Sequence, residues 1–131
     1  VTILSGMSTM EQVEDNLRIF QNVTVGNLSP EDEKFVAELK KAYMARIAVG
    51  CTHCDYCQPC PQNVLIPRIF EIYNRAYMFD NNAQLVRDYK NVIKDEGDSA
   101  RCVACGQCEA ACPQQLEIIK LLDKIHQEAT K

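Results

Sequence analysis

Cys51-Thr-His-Cys54-Asp-Tyr-Cys57-Gln-Pro-Cys60-Pro61 and, further along, Cys102-Val-Ala-Cys105-Gly-Gln-Cys108-Glu-Ala-Ala-Cys112-Pro113 hold all eight cysteines of this 131-residue chain. Each stretch offers three cysteines at an even step of three residues, then a fourth followed by proline. A cubane iron–sulfur cluster presents iron at alternate corners, and each iron needs one outside thiolate. A tight loop with cysteines so stepped reaches three corners and then runs out of curvature, so the fourth ligand comes from elsewhere. The spacing of the second stretch is one in which the fourth cysteine serves the other of two clusters. Cys51, Cys54, Cys57 and Cys112 are therefore expected to hold one [4Fe–4S] cluster, and Cys102, Cys105, Cys108 and Cys60 the other. The first stretch departs from the pattern, with two residues rather than three between Cys57 and Cys60. That leaves open the alternative in which each stretch closes on its own cluster.

Two other chemistries use many cysteines. Paired Cys-x-x-Cys units make structural zinc sites, but zinc takes two pairs per site and leaves the third stepped cysteine unexplained. Disulfides need an oxidising compartment, and no charged–apolar–small-residue leader opens the chain, so the expected location is the reducing cytoplasm. No apolar run reaches membrane-spanning length. The net charge of −4 gives no reason to expect a nucleic-acid partner. At 47% hydrophobic and 24% charged residues the composition suits a folded globular domain. A start at Val1 rather than Met suggests a fragment.

Outward from the cysteines the pattern is helical. Val1 to Leu4 predicts a short strand broken at Gly6. Ser8-Thr-Met-Glu11 reads as a capping box with Ser8 as N-cap, and Met10, Val13, Leu17 and Phe20 predict a helix over about residues 9–21. Ser29-Pro30-Glu31 starts a second helix, with Phe35, Val36, Leu39, Tyr43, Met44 and Ile47 on one stripe and an end near Gly50. Pro67 opens a third, with Ile69, Phe70, Tyr73 and Tyr77 facing inward. After a turn at Asp80-Asn81-Asn82, Leu85, Val86, Tyr89, Val92 and Ile93 define a fourth, stopped by Gly97. Ile118, Leu121, Leu122 and Ile125 define a last one. The cysteine-bearing part is expected to be all-α and weakly duplicated: helix, cysteine group with closing proline, helix.

Around the cysteines, each closing proline fixes φ and turns the chain away before the next helix. Gly106 is expected to let the backbone pass close to the sulfurs, where N–H groups can point at them. His53 reads as a loop residue facing solvent or bonded to sulfur. Arg101 reads as a surface arginine or as an offset to cluster charge. Tyr56, Tyr73 and Tyr77 read as core and shielding residues, and the charges of Glu31, Asp32, Glu33, Lys34, Lys40 and Lys41 as a solvated face.

Two cysteine groups separated by helices resemble the α-helical ferredoxin fold, a two-cluster module of multi-centre oxidoreductases. The 41 residues from Pro61 to Arg101 are too many and too helical for the small β-hairpin ferredoxins. The opening segment Leu4-Ser-Gly6-Met-Ser8-Thr-Met-Glu-Gln12-Val-Glu-Asp-Asn16-Leu17 resembles the last strand and helix of an aldo/keto reductase barrel. In that family the positions matching Ser8, Gln12 and Asn16 contact the adenosine end of NADP. The combined resemblance, which extends to Cys57-Gln-Pro-Cys60-Pro61 and to Cys108 through Gln114, implies the C-terminal part of an aldo/keto reductase-like oxidoreductase. It implies a (β/α)8 strand–helix remnant over 1–28 and an α-helical ferredoxin domain over 29–131. NADP would be bound only by the full-length parent, since a lone strand and helix cannot enclose a dinucleotide. The family's catalytic residues have no match here, so no catalytic centre is expected in this piece. The implied function is electron transfer with a redox partner protein or the upstream barrel. The alternative is a structural zinc or cluster module forming a docking surface.

Overall fold

The computed structural model describes residues 5–131, so the strand expected at Val1–Leu4 lies outside the described residues. The chain divides into two compact units, Val1–Lys40 and Lys41–Lys131.

In the first unit, α1 (Met10–Phe20) is capped by Thr9, whose side chain accepts the Gln12 N–H at 3.3 Å. Gln12 Oε1 in return accepts the amides of Thr9 at 3.2 Å and Ser8 at 2.8 Å. The box therefore sits one residue beyond the Ser8/Glu11 pair expected, because the Gln12 side chain satisfies two amides at once. Ser29 caps α2 (Pro30–Met44) through reciprocal bonds of 3.1 Å with Asp32. The helix stops short of Gly50 because Val49 is held elsewhere. Its N–H and C=O pair with the Asn74 side-chain amide at 2.8 and 2.7 Å. No residue of α1 or α2 is buried, and the stripe of Phe35, Val36, Leu39, Tyr43 and Met44 remains open to solvent.

The second unit packs α3 (Ile66–Met78), α4 (Asn82–Lys94) and α6 (Ile118–Ala129) against one another. A 3-10 turn (Ser99–Arg101) and the short α5 (Gln107–Ala110) lie against α6. Apolar residues at helical spacing meet at the centre: Ile69, Phe70 and Tyr73 from α3, Leu85, Tyr89 and Val92 from α4, and Ile118, Leu122 and Ile125 from α6. Tyr77 and Ile93 fall at the edge of their stripes and are exposed, in the case of Tyr77 contrary to the inward placement expected of it. No strand occurs among the described residues.

The end of α4 is made by Glu96 rather than by Gly97. Glu96 takes the left-handed conformation at φ 53°. Gly97 follows with its N–H bonded to Val92 O at 3.0 Å. The glycine is required for space: a Cβ there would collide with the Leu65 side chain, just where the Leu65 N–H bonds Gly97 O at 2.8 Å. Gly97→Ala is expected to destabilise the second unit by about 1–3 kcal/mol, the usual penalty of overpacking. Adding Leu65→Ala should recover part of that loss in a denaturant titration. A neutral Gly97→Ala would show that the contact is loose.

Candidate metal centre

The two cysteine loops share one backbone trace. The residues flanking the middle cysteine are left-handed in both, His53 (φ 54°) and Asp55 (φ 61°) around Cys54, Ala104 (φ 53°) and Gly106 (φ 77°) around Cys105. The paired reversals push Cys54 and Cys105 to exposed tips, while Cys51, Cys57, Cys102 and Cys108 stay half-buried against the core. Nothing lies within 4 Å of a Cβ placed on Gly106, and its φ of 77° is the left-handed conformation that glycine adopts freely. Three residues past each closing cysteine the trace repeats again. Asn63 (φ 58°) and Gln115 (φ 52°) are left-handed, and their amides bond Cys60 O at 2.9 Å and Cys112 O at 3.0 Å. Three residues on, α3 and α6 begin at Ile66 and Ile118.

The loops differ by one residue, and each handles its length with a side chain that the sequence reading passed over. In the shorter loop the Gln58 side chain donates to Val64 O at 3.0 Å and accepts the Cys60 N–H at 3.2 Å. In the longer loop the extra residue allows α5, and Glu109 Oε1 accepts the Ile119 N–H at 2.9 Å. Both tie the closing turn to the start of the outgoing helix. The only signal in sequence is a long polar residue placed just after the third cysteine.

The loops and helices enclose two cavities. One, of about 200 Å³, is lined by Cys57, Cys60, Cys102, Cys105 and Cys108 over Val64, Ile66 and Leu122. The other has a tight interior of about 20 Å³ and is lined by Cys51, Cys54, Cys57 and Cys112 with Phe70 and Ile118. Cys57 lines both, so the cavities adjoin. Each therefore collects three stepped cysteines of one loop and the closing cysteine of the other. Among the described residues no three His, Cys, Asp or Glu side chains converge on a point where one ion could sit. Four thiols spread around a space suit a cluster with its own sulfide framework better than a zinc ion, which draws its ligands to about 2.3 Å. The donor set fits.

Burial raises the Cys51, Cys57 and Cys108 thiols above their ordinary value, Cys57 to about 11. Backbone N–H groups oppose it, from His53 toward Cys51 and from Glu109 toward Cys108. His53 thus acts at the sulfur through its amide, while its side chain is exposed and lines neither cavity. Arg101 pairs with Glu96 at 3.4 Å and Asp98 at 3.9 Å. Of the tyrosines, Tyr73 is core and bonds Glu128 at 3.0 Å, whereas Tyr56 is 68% exposed on the rim of the larger cavity. A bulky ring at a loop tip has no helix to lean on, so Tyr56 is not core, though it does line the larger cavity. At the N-terminal end, Ser8 and Gln12 bond each other, and Asn16 Nδ2 donates to Ser5 Oγ at 3.1 Å. No helix among the described residues is long and apolar enough to cross a membrane.

A family model described as "4Fe-4S dicluster domain" matches residues 50–117, just over half of the chain and all eight cysteines. No curated protein and no solved structure matches.

The raised thiols have a consequence for the cluster-free chain. A folded state that holds protons more tightly than the unfolded chain is stabilised below the ordinary thiol value. It loses that stability as pH rises through the folded value. For Cys57 the window runs from 9.0 to about 11. Unfolding midpoints of cluster-free protein are expected to hold steady below pH 9 and fall across that window, with a shallower fall in Cys57→Ala. An equal slope in both proteins would contradict the burial of this thiol.

Proposed function

The chain belongs to the 4Fe-4S dicluster domain family, and on that premise we propose that it binds two [4Fe–4S] clusters and passes single electrons through them. The observation that carries this reading is the pair of adjoining cavities, each lined by three cysteines of one loop and the fourth of the other. In this reading Cys51, Cys54, Cys57 and Cys112 ligate one cluster, and Cys102, Cys105, Cys108 and Cys60 the other. When bound, each cluster supplies a one-electron couple.

The protein's own part is to hold, bury and tune. Val64, Ile66, Phe70, Ile118 and Leu122 floor the cavities with apolar surface that keeps water off the sulfurs. The amides of His53 and Glu109 favour charge on Cys51 and Cys108, which raises a cluster's potential. Exposed Cys54 and Cys105 place one edge of each site at the surface, where electrons can be exchanged. Binding two clusters would move the chain from −4 towards about −8 in net charge, so a partner with a basic docking patch is favoured.

The larger context is part of the same proposal. The first 28 residues would be the end of an aldo/keto reductase-like barrel and residues 29–131 its ferredoxin domain, relaying electrons to or from a nicotinamide cofactor. The spacing of Ser8, Gln12 and Asn16, one turn apart along the start and length of α1, supports their assignment to NADP in such a parent.

Anaerobically prepared protein is expected to be brown and to contain about eight iron and eight sulfide per chain, bleaching on reduction. Colourless protein with stoichiometric zinc would defeat the proposal. The crossed ligation has its own test. Cys112→Ser should damage the cluster held by Cys51, Cys54 and Cys57 and leave the other intact, roughly halving iron content. If instead Cys112→Ser and a Cys102/Cys105/Cys108 triple serine variant lose the same cluster, each loop closes on its own.

A further inference from the structure

The two loops bring their closing cysteines to rest in different ways. In the longer loop the Cys112 N–H bonds the backbone carbonyl of Glu109, three residues back, at 3.2 Å. The extra residue allows this by prolonging the turn of α5. In the shorter loop the residue three back from Cys60 is Cys57, itself a member of the cysteine group. Among the described residues the Cys60 N–H meets no backbone carbonyl. The Gln58 side chain stands in for one: its Oε1 accepts the Cys60 N–H at 3.2 Å.

That oxygen is itself held in place. The other end of the same amide donates through Nε2 to Val64 O at 3.0 Å. Val64 is fully buried in the hydrophobic core and lines the larger cavity, and its carbonyl also receives the Ile66 N–H at 2.9 Å where α3 begins. An amide whose donor end is fixed to the core presents its acceptor end in one direction. On the far side of Cys60, the Asn63 N–H bonds Cys60 O at 2.9 Å, and the Asn63 side chain donates to Glu96 O at 3.3 Å. The peptide groups before and after Cys60 are both tied. With them fixed, φ and ψ are set, and the direction of the Cys60 Cβ follows.

The placement is one-sided. Gln58 follows Cys57 directly in sequence, yet it lines the larger cavity, with Cys60, Cys102, Cys105 and Cys108, and not the smaller one. It is half-buried there, and its amide adds no charge beside the sulfurs.

We infer that Gln58 is a positioning residue for the fourth ligand of the larger site: it aims Cys60 at the centre whose other three thiolates come from the second loop. This rests on the two-cluster reading above. Gln58 touches no reacting atom, and its effect passes through the backbone of Cys60.

Ferricyanide treatment of the intact, cluster-loaded chain reads how firmly each iron is held. One electron passes to ferricyanide, one Fe2+ leaves, and a [4Fe–4S]2+ centre becomes [3Fe–4S]+, which EPR detects. Gln58→Met keeps the length of the side chain and removes both hydrogen bonds. It is expected to lose iron on the order of tenfold faster than wild type, the scale of one or two net hydrogen bonds. The three-iron signal should have the line shape given by Cys60→Ser and not that given by Cys112→Ser. Gln58→Glu keeps an acceptor for the Cys60 N–H and should fall between Gln58→Met and wild type. If Gln58→Met does not load, Gln58→Glu carries the test, with faster loss than wild type expected. Gln62→Met, at an exposed glutamine lining the same cavity, should behave as wild type. Wild-type rates in both Gln58 variants, the Cys112→Ser line shape, or an equal effect of Gln62→Met would overturn the positioning role alone. Wild-type protein without iron would overturn the two-cluster reading and this role together, so the iron assay separates the two failures.

Discussion

A loop that wraps three corners of a cube cannot also reach the fourth. In the two-cluster reading proposed here, the second unit is organised around that constraint. Each loop sends three thiols into one cavity and, after a short turn, sends a fourth into the neighbouring one. The outgoing helix of each half, α3 or α6, starts six residues past its closing cysteine, and the two helices pack on each other. Core and metal-binding loops are thereby one structure. Ile66, Phe70, Ile118 and Leu122 belong to both the hydrophobic cluster and the cavity walls. Loss of ligation would be expected to loosen the helices, as is general when binding and folding share their contacts.

Backbone strain is concentrated in the same loops. His53, Asp55 and Ala104 all take positive φ without being glycine, a conformation that disfavours residues bearing a Cβ. Such conformations persist where the surroundings over-determine them. Here they set the direction of the middle thiol in each loop. The same trace appears with different residues in the two halves, so what is repeated is geometry, held by backbone bonds and by the unlike clamps Gln58 and Glu109.

Much of this was legible in the sequence because cysteine spacing and helical period are short-range signals. The spacing located the two cysteine loops, and the stripes through Ile69, Phe70, Leu85, Tyr89, Val92, Leu122 and Ile125 picked the buried faces. What escaped was set by longer-range contacts. The end of α2 depends on Asn74, distant in sequence, taking hold of Val49. The role of Gly97 depends on Leu65 lying against it. Tyr77 and Tyr56 show that an aromatic near a periodic stripe or beside a half-buried cysteine can still face solvent. The stripes of α1 and α2 show the limit of periodicity: it marks a face able to be buried and does not say that this chain buries it.

What we propose is a pair of four-iron centres sitting side by side. EPR of the anaerobic protein at graded reduction reads that arrangement directly. With both centres reduced, the spectrum should be broadened and split by their mutual magnetic interaction, and the splitting should vanish in half-reduced samples. Two superposed signals with no interaction at full reduction, or the signal of one centre alone, would contradict it.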